Sequence, residues 1–180
     1  SSLFLIFSSS KDLFSFLKLK KSYFDLSRII SHLSFGFLIL FIGLNYNFTE
    51  EKDFNLKKGE KKNFKEYTIE FKDLKLSEAQ NYKSVIGDFK ILNKVKNLNL
   101  KLSPEIRIYD NPNTLTYEAS IRSGLLSDYY ITMSNIDRSD YYNIKFQRKP
   151  FMIWIWISVI FVSIGGLIRF FENEKKIIKN

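Results

Sequence analysis

Two charge-free runs constrain this 180-residue chain more than any other feature. Ile29 to Leu44 reads IISHLSFGFLILFIGL, 16 residues, and Phe151 to Ile168 reads FMIWIWISVIFVSIGGLI, 18 residues. A helix rises about 1.5 Å per residue and a bilayer core is about 30 Å thick, so roughly 17 to 25 residues cross it. The second run has that length. The first reaches it when extended through Leu26, with Arg28 snorkelling back to the interface. Pro150 stands at the favoured first helical position, Arg169 closes the run, and Trp154 and Trp156 sit where an aromatic belt would place them. Two transmembrane helices are therefore predicted. Buried helices of a soluble protein rarely run so far without charge beside a basic cluster and a Trp pair.

Charge then sets orientation. Lys18, Lys20, Lys21 and Arg28 precede the first run, and Arg169, Lys175, Lys176 and Lys179 follow the second, which puts both ends on the cytoplasmic or matrix side. The expected organisation is residues 1–28 as the end of an upstream helix and a cytoplasmic loop, 29–45 as the first span, 46–149 as an outer domain, 150–168 as the second span and 169–180 as a cytoplasmic tail. Residues 46–149 hold 19 basic and 15 acidic side chains, so the overall charge of +9 is not concentrated there, and no nucleic-acid partner is expected. The opening SSLFLIFS begins without Met, and no small-residue cleavage site follows Leu44, so the chain reads as a fragment of a larger polytopic protein and not as one led by a signal peptide.

Between the spans, apolar residues alternate with the period of two that half-buried strands need: Tyr67, Ile69 and Phe71; Leu98, Leu100 and Leu102; Ile144 and Phe146. Lys57-Lys58-Gly59-Glu60, Ser103-Pro104, Asp110-Asn111-Pro112-Asn113 and Ser123-Gly124 are turn signals between such runs. About seven short strands forming a sandwich or barrel are expected. The fold class is thus an integral membrane α-helical protein with a β-rich extracytoplasmic domain.

Chemistry has few candidates. With no Cys and a single His, thiolate sites, disulfides and multi-imidazole zinc sites are excluded from this stretch. His32 lies in the first span, four residues after Arg28 and so about 6 Å inward. An ionisable group at that depth is costly unless it faces a partner. Ser31, Ser34, Gly36 and Gly43 are small, letting another helix or a flat macrocycle approach. A neutral imidazole can ligate haem iron, the second axial ligand then coming from another helix; alternatively His32 only hydrogen-bonds a facing helix. Glu105, Arg107, Glu118, Arg122 and Asp128 could hold a carboxylate pair, but their spacing reads better as solvated strand faces, and Lys57 to Lys65 reads as a loop tip near headgroups or a solvated turn. No catalytic residue stands out.

Four stretches together resemble the C-terminal part of the CcmF family of cytochrome c maturation (haem lyase) membrane proteins: Arg28 to Gly43; Lys83 to Phe89 (KSVIGDF); Ile106 to Met133, which is similar to that family's R-x-Y, T-E-A-x-I and T-G-L-x-x-D-x-Y block; and Lys149 to Gly166. The resemblance implies that His32 is an axial ligand of a haem b whose second ligand lies outside this fragment. It implies a role in attaching haem covalently to apocytochrome c at the outer face of the membrane. It also implies partners besides the lipid bilayer: apocytochrome c, a CcmE-like haem chaperone and a CcmH-like thiol-reducing protein. The location would be the bacterial cytoplasmic membrane or the mitochondrial inner membrane. Ser34 stands where the family usually has Gly, and Thr116-Tyr117-Glu118-Ala119 stretches the T-E-A block by one residue. The family's tryptophan-rich haem-handling segment is not in this stretch, so the fragment is not expected to be active alone. A rival class is a non-catalytic anchor whose β domain serves as a docking module; a His32 facing lipid instead of other helices would favour the anchor.

Overall fold

The computed structural model describes residues 2–19, 23–93, 95, 97–135 and 139–177, and divides into a helical unit, Ser1–Phe48 with Pro150–Asn180, and a β unit, Thr49–Lys149. Lys20, Lys21 and Lys179, named above for orientation, lie outside the described residues, as do the side chains of Lys175 and Lys176.

The helical unit contains α1 (Ser2–Leu19), α2 (Tyr23–Phe48) and α3 (Met152–Ile177). Both α2 and α3 run past the charge-free segments, since helical hydrogen bonding continues through the polar residues that flank an apolar stretch. Within them, Leu26–Phe48 and Met152–Phe171 are long and apolar enough to cross a membrane, with only 17% and 11% of their apolar windows buried, unlike the core helices of a soluble domain. Ser27 and Ser31 of α2 meet Gly165 of α3. The Ser27 hydroxyl donates to the Gly165 carbonyl at 2.8 Å, and a Cβ on Gly165 would lie 3.0 Å from the Ser31 amide nitrogen. Small residues thus set a close backbone approach. Toward the other end of the pair Phe41 packs on Phe151 and Trp154, both at 5.8 Å, and the Asn45 amide donates to the Pro150 carbonyl.

Pro150 is not the first helical residue. It closes a strand, and Phe151, at φ 60°, turns the chain before the helix opens at Met152. A proline's fixed φ suits a strand end as well as a helix start, so its position alone does not decide between them.

Ten strands, more than the seven expected, make up the β unit among its described residues: β1 (Glu50–Leu56), β2 (Lys61–Phe64), β3 (Tyr67–Glu78), β4 (Tyr82–Asn93), β5 (Leu98–Leu102), β6 (Glu105–Asp110), β7 (Asn113–Glu118), β8 (Ser120–Arg122), β9 (Ser127–Asn135) and β10 (Tyr142–Pro150). They form a four-stranded sheet ordered β1-β10-β9-β8 and a six-stranded sheet ordered β2-β3-β4-β6-β7, with β5 also on β4. The inner faces enclose Leu56, Tyr129, Ile131, Met133, Ile144 and Phe146 from one sheet and Tyr67, Ile69, Phe71, Phe89, Ile91, Leu102 and Ile106 from the other. Rings bridge the layers: Tyr67 lies 5.3 Å from Phe146 and 6.1 Å from Tyr129. Within the six-stranded sheet Phe71 stacks on Phe89 at 4.4 Å. Gly87, in the KSVIGDF stretch, has no room for a side chain, because a Cβ there would sit 2.6 Å from the Phe89 ring and 2.9 Å from the Met133 sulfur.

Candidate functional site

His32 sits on α2 in a position set by helical period. Arg28, His32, Phe35, Ile39, Ile42 and Tyr46 recur at three- and four-residue steps and are all exposed, so they form one stripe along the helix. On one flank of this stripe α2 packs against α1: Ile29 is buried, and a Cβ on Gly36 would lie 2.8 Å from the Ile6 side chain and 3.3 Å from its backbone nitrogen. On the other flank Ser27 and Ser31 meet α3.

At the Arg28 end the stripe opens into a groove of about 290 Å³ between α1 and α2, lined by Leu5, Ser8, Ser9, Asp12, Arg28, Ile29 and His32. The imidazole is exposed there, and neither ring nitrogen has a hydrogen-bond partner among the described residues. The interhelical hydrogen bond offered as the alternative role for this ring is therefore not made among them. The four small residues singled out beside His32 divide by function. Ser31 forms part of the α3 crossing, Gly36 admits α1, and Ser34, 8% exposed, lines a second, apolar groove with Phe37, Phe41 and Trp154. A Cβ on Gly43 would meet nothing within 4 Å.

The residues present can hold a haem by one ligand. An imidazole with an available nitrogen on an otherwise apolar stripe is the donor required, and a cation stands one helical turn away on the same face. No cluster of three or more His, Asp or Glu suited to a metal ion occurs among the described residues.

In the β unit the polar candidates separate into two groups. Arg107 Nε donates to Glu105 at 2.9 Å, Arg107 Nη1 lies 3.9 Å from Glu118, and the guanidinium is 4.9 Å from the Tyr82 ring. The hydrogen bond to Glu105, followed by one involving Tyr109, raises the Arg107 pKa above its ordinary value. The pairing is a charge ladder across the β6–β7 register, in which Glu105 faces Glu118 and Arg107 faces Thr116. It leaves the two carboxylates neutralised by a shared cation and poorly placed for acid/base work.

Asp128 belongs elsewhere. It is buried and accepts from the Ser123 hydroxyl and the Gly124 amide, both at 3.2 Å, and from the Tyr130 hydroxyl at 3.5 Å. Burial, then the Asp128 charge, raises the Tyr130 pKa. The G-L-x-x-D-x-Y part of the motif is thus a loop clamp that holds Leu125 and Leu126 outward, 70% and 69% exposed. The lysines of the Lys57 to Lys65 segment are largely paired: Lys57 with Asp140 at 3.6 Å, Lys58 with Asp73 and Lys65 with Glu50 at 2.9 Å. Sequence reading did not single out Ser8, Ser9 or Asp12, since nothing in their local pattern announces that α1 folds back beside His32.

The family described as the CcmF C-terminal beta-sandwich matches residues 47–150. Among curated proteins the chain is 25% identical over 144 residues to the cytochrome c-type biogenesis protein CcmF of Escherichia coli, covering 80% of this chain and 22% of that protein. It is 28% identical over 158 residues to the protein of the same name from Haemophilus influenzae, covering 87% and 24%. The chain spans about a quarter of the length of these relatives. A solved structure named Cytochrome c Heme Lyase CcmF shares the fold with a TM-score of 0.63 at 14% identity, over 81% of this chain and 24% of that one. The matched residues carry the two sheets, their closed aromatic core and the Asp128 loop clamp, and on them the chain belongs to the CcmF C-terminal beta-sandwich family.

Proposed function

We propose that this chain is the C-terminal part of a cytochrome c maturation haem lyase subunit, with His32 as one axial ligand of a haem b. The observation that carries the reading is the exposed His32 imidazole, with no hydrogen-bond partner among the described residues, on the apolar stripe of α2. A polar ring left open on a membrane helix is costly unless something from outside the chain takes it up. The chain has one His, so the second axial ligand comes from residues beyond this stretch or from a partner.

Bound haem supplies a one-electron centre at membrane depth. The chain's own residues do the rest. His32 offers a ring nitrogen, Arg28 fixes the end of the stripe at the interface, and Phe35 and Ile39 on the same face exclude water from the ligand's inner side. Both ends of the chain lie on the cytoplasmic or matrix side and the β unit on the outer side, where haem is attached to apocytochrome c. There the β unit serves as a docking body for the apocytochrome, a haem-carrying chaperone and a thiol-reducing protein. The exposed Leu125 and Leu126, held by Asp128, are the kind of rigid apolar tip such docking uses.

A second reading is a tethered docking module without haem, and the observation in its favour is that among the described residues the His32 ring is exposed and enclosed by no helix. The full-length protein decides between them. His32→Ala is expected to abolish the b-type absorption spectrum of the purified protein while leaving its amount in the membrane unchanged. An undiminished b-type spectrum would remove His32 as a ligand and favour the tether for this part of the protein.

A further inference from the structure

Arg28 and His32 are one helical turn apart on the same face of α2, and both line the groove closed on its far side by Ser8, Ser9 and Asp12 of α1. A haem is amphipathic. Its ring edge is apolar, while its propionate carboxylates retain their charge and need water or a cation when the ring is in a membrane. The groove has the matching polarity. Beyond His32 the stripe is apolar through Phe35, Ile39 and Ile42, whereas in the opposite direction, toward the helix start, it meets Arg28 and two serine side chains. A planar guanidinium is suited to a carboxylate through paired hydrogen bonds.

We infer that Arg28 is a positioning residue that receives a haem propionate, so that the porphyrin lies over His32 with its carboxylate edge toward the α1–α2 groove. This rests on His32 as the haem ligand. Asp12 lines the same groove with the opposite sign and sets a cost for an entering anion, so the two side chains act on propionate binding in opposite directions. The arrangement also fixes the sign of an electrochemical effect: a cation beside the haem edge favours the reduced centre, which carries one positive charge fewer.

The test uses the full-length protein, stripped of haem and reconstituted either with haem b or with its dimethyl ester, in which both propionates are uncharged. The protein with Arg28 intact is expected to retain haem about ten- to a hundredfold better than the diester, the factor a charge-assisted hydrogen bond gives. Arg28→Gln should erase that preference and lower the midpoint potential of the bound haem while keeping its six-coordinate spectrum. Arg28→Lys should keep part of the preference, and Asp12→Asn should enlarge it. Equal preference for haem over diester in the Arg28→Gln and unsubstituted proteins overturns the assignment, as does a shift in the same direction for Arg28→Gln and Asp12→Asn. Loss of the spectrum on His32→Ala with no effect of Arg28→Gln removes this inference alone. A spectrum that survives His32→Ala removes the ligand reading as well.

Discussion

Substituting Gly165 by Ala tests whether the α2–α3 crossing is set by backbone contact. A Cβ at Gly165 would overlap the Ser31 hydroxyl, which can rotate away. It would also lie 3.0 Å from the Ser31 nitrogen and 3.2 Å from the Ser27 carbonyl oxygen, which cannot move without moving the helix. Relief requires the helices to part by a few tenths of an ångström, which also stretches the 2.8 Å hydrogen bond from the Ser27 hydroxyl to the Gly165 carbonyl. Overpacking costs typically 1–3 kcal/mol, and an interhelical hydrogen bond in a membrane contributes about 0.6 kcal/mol. Replacing a helical Gly by Ala gives back up to about 1 kcal/mol of backbone entropy. The expected net loss is about 1–2 kcal/mol. Gly166 is the internal control, since a Cβ there meets nothing within 4 Å, and Gly166→Ala should be neutral or stabilising by up to about 1 kcal/mol. Thermal unfolding of the detergent-solubilised protein, followed by circular dichroism, measures both. Equal stability of the two variants would refute the claim that this contact determines the crossing.

Further expectations concern the β unit. Phe71→Ala removes a ring stacked on Phe89 and touching Tyr142, and should cost about 3–5 kcal/mol in chemical denaturation. Asp128→Ala leaves the Ser123 hydroxyl and Gly124 amide without their acceptor; a loss of about 1–3 kcal/mol is expected, with faster amide exchange at residues 123–127 and unchanged protection at Ile69 and Ile91. For Glu50, burial opposes the charge, but the Lys65 hydrogen bond and the charges of Lys65 and Arg148 outweigh it and hold the carboxyl below its ordinary value of 4.5. A lowered folded-state pKa gives stability that is fully present above about pH 4.5 and lost as pH falls through the folded value. Glu50→Gln should therefore lower the melting temperature above about pH 4.5, where that contribution is present, and the difference from the unsubstituted protein should shrink as pH falls through the folded value.

The sequence makes some of these features plain and others invisible for physical reasons. The alternation at Tyr67, Ile69 and Phe71 and at Ile144 and Phe146 places those residues inside, as the structure finds, because one face of each strand is sealed by the other sheet. β1, reading EEKDFNL, and β7, reading NTLTYE, each carry a single alternating pair, Phe54 with Leu56 and Leu115 with Tyr117, among charged or polar residues; pairing with β10 and β6 satisfies the backbone of the rest. The seven-strand expectation fell short on segments of this kind. Pro150 misled because a fixed φ serves a strand terminus equally well. The family resemblance rests on residues whose roles now have a physical account: Gly87 clears the Met133 side chain, and Asp128 clamps the Ser123-Gly124 loop. His32 was conspicuous as the single imidazole in an apolar run, whereas its groove neighbours were not, because Asp12 is 20 residues away and reaches it only through the packing of α1 on α2.

The pairing of β1 with β10 has an architectural consequence. Glu50 sits opposite Arg148, so the chain enters and leaves the β unit on adjacent strands, about 5 Å apart. A module with neighbouring ends can be inserted between two helices without prying them apart. Its loops can lengthen or shrink while the ends that join it to α2 and α3 stay on the same pair of adjacent strands, so the β unit can vary without altering the helices on either side of it in the chain.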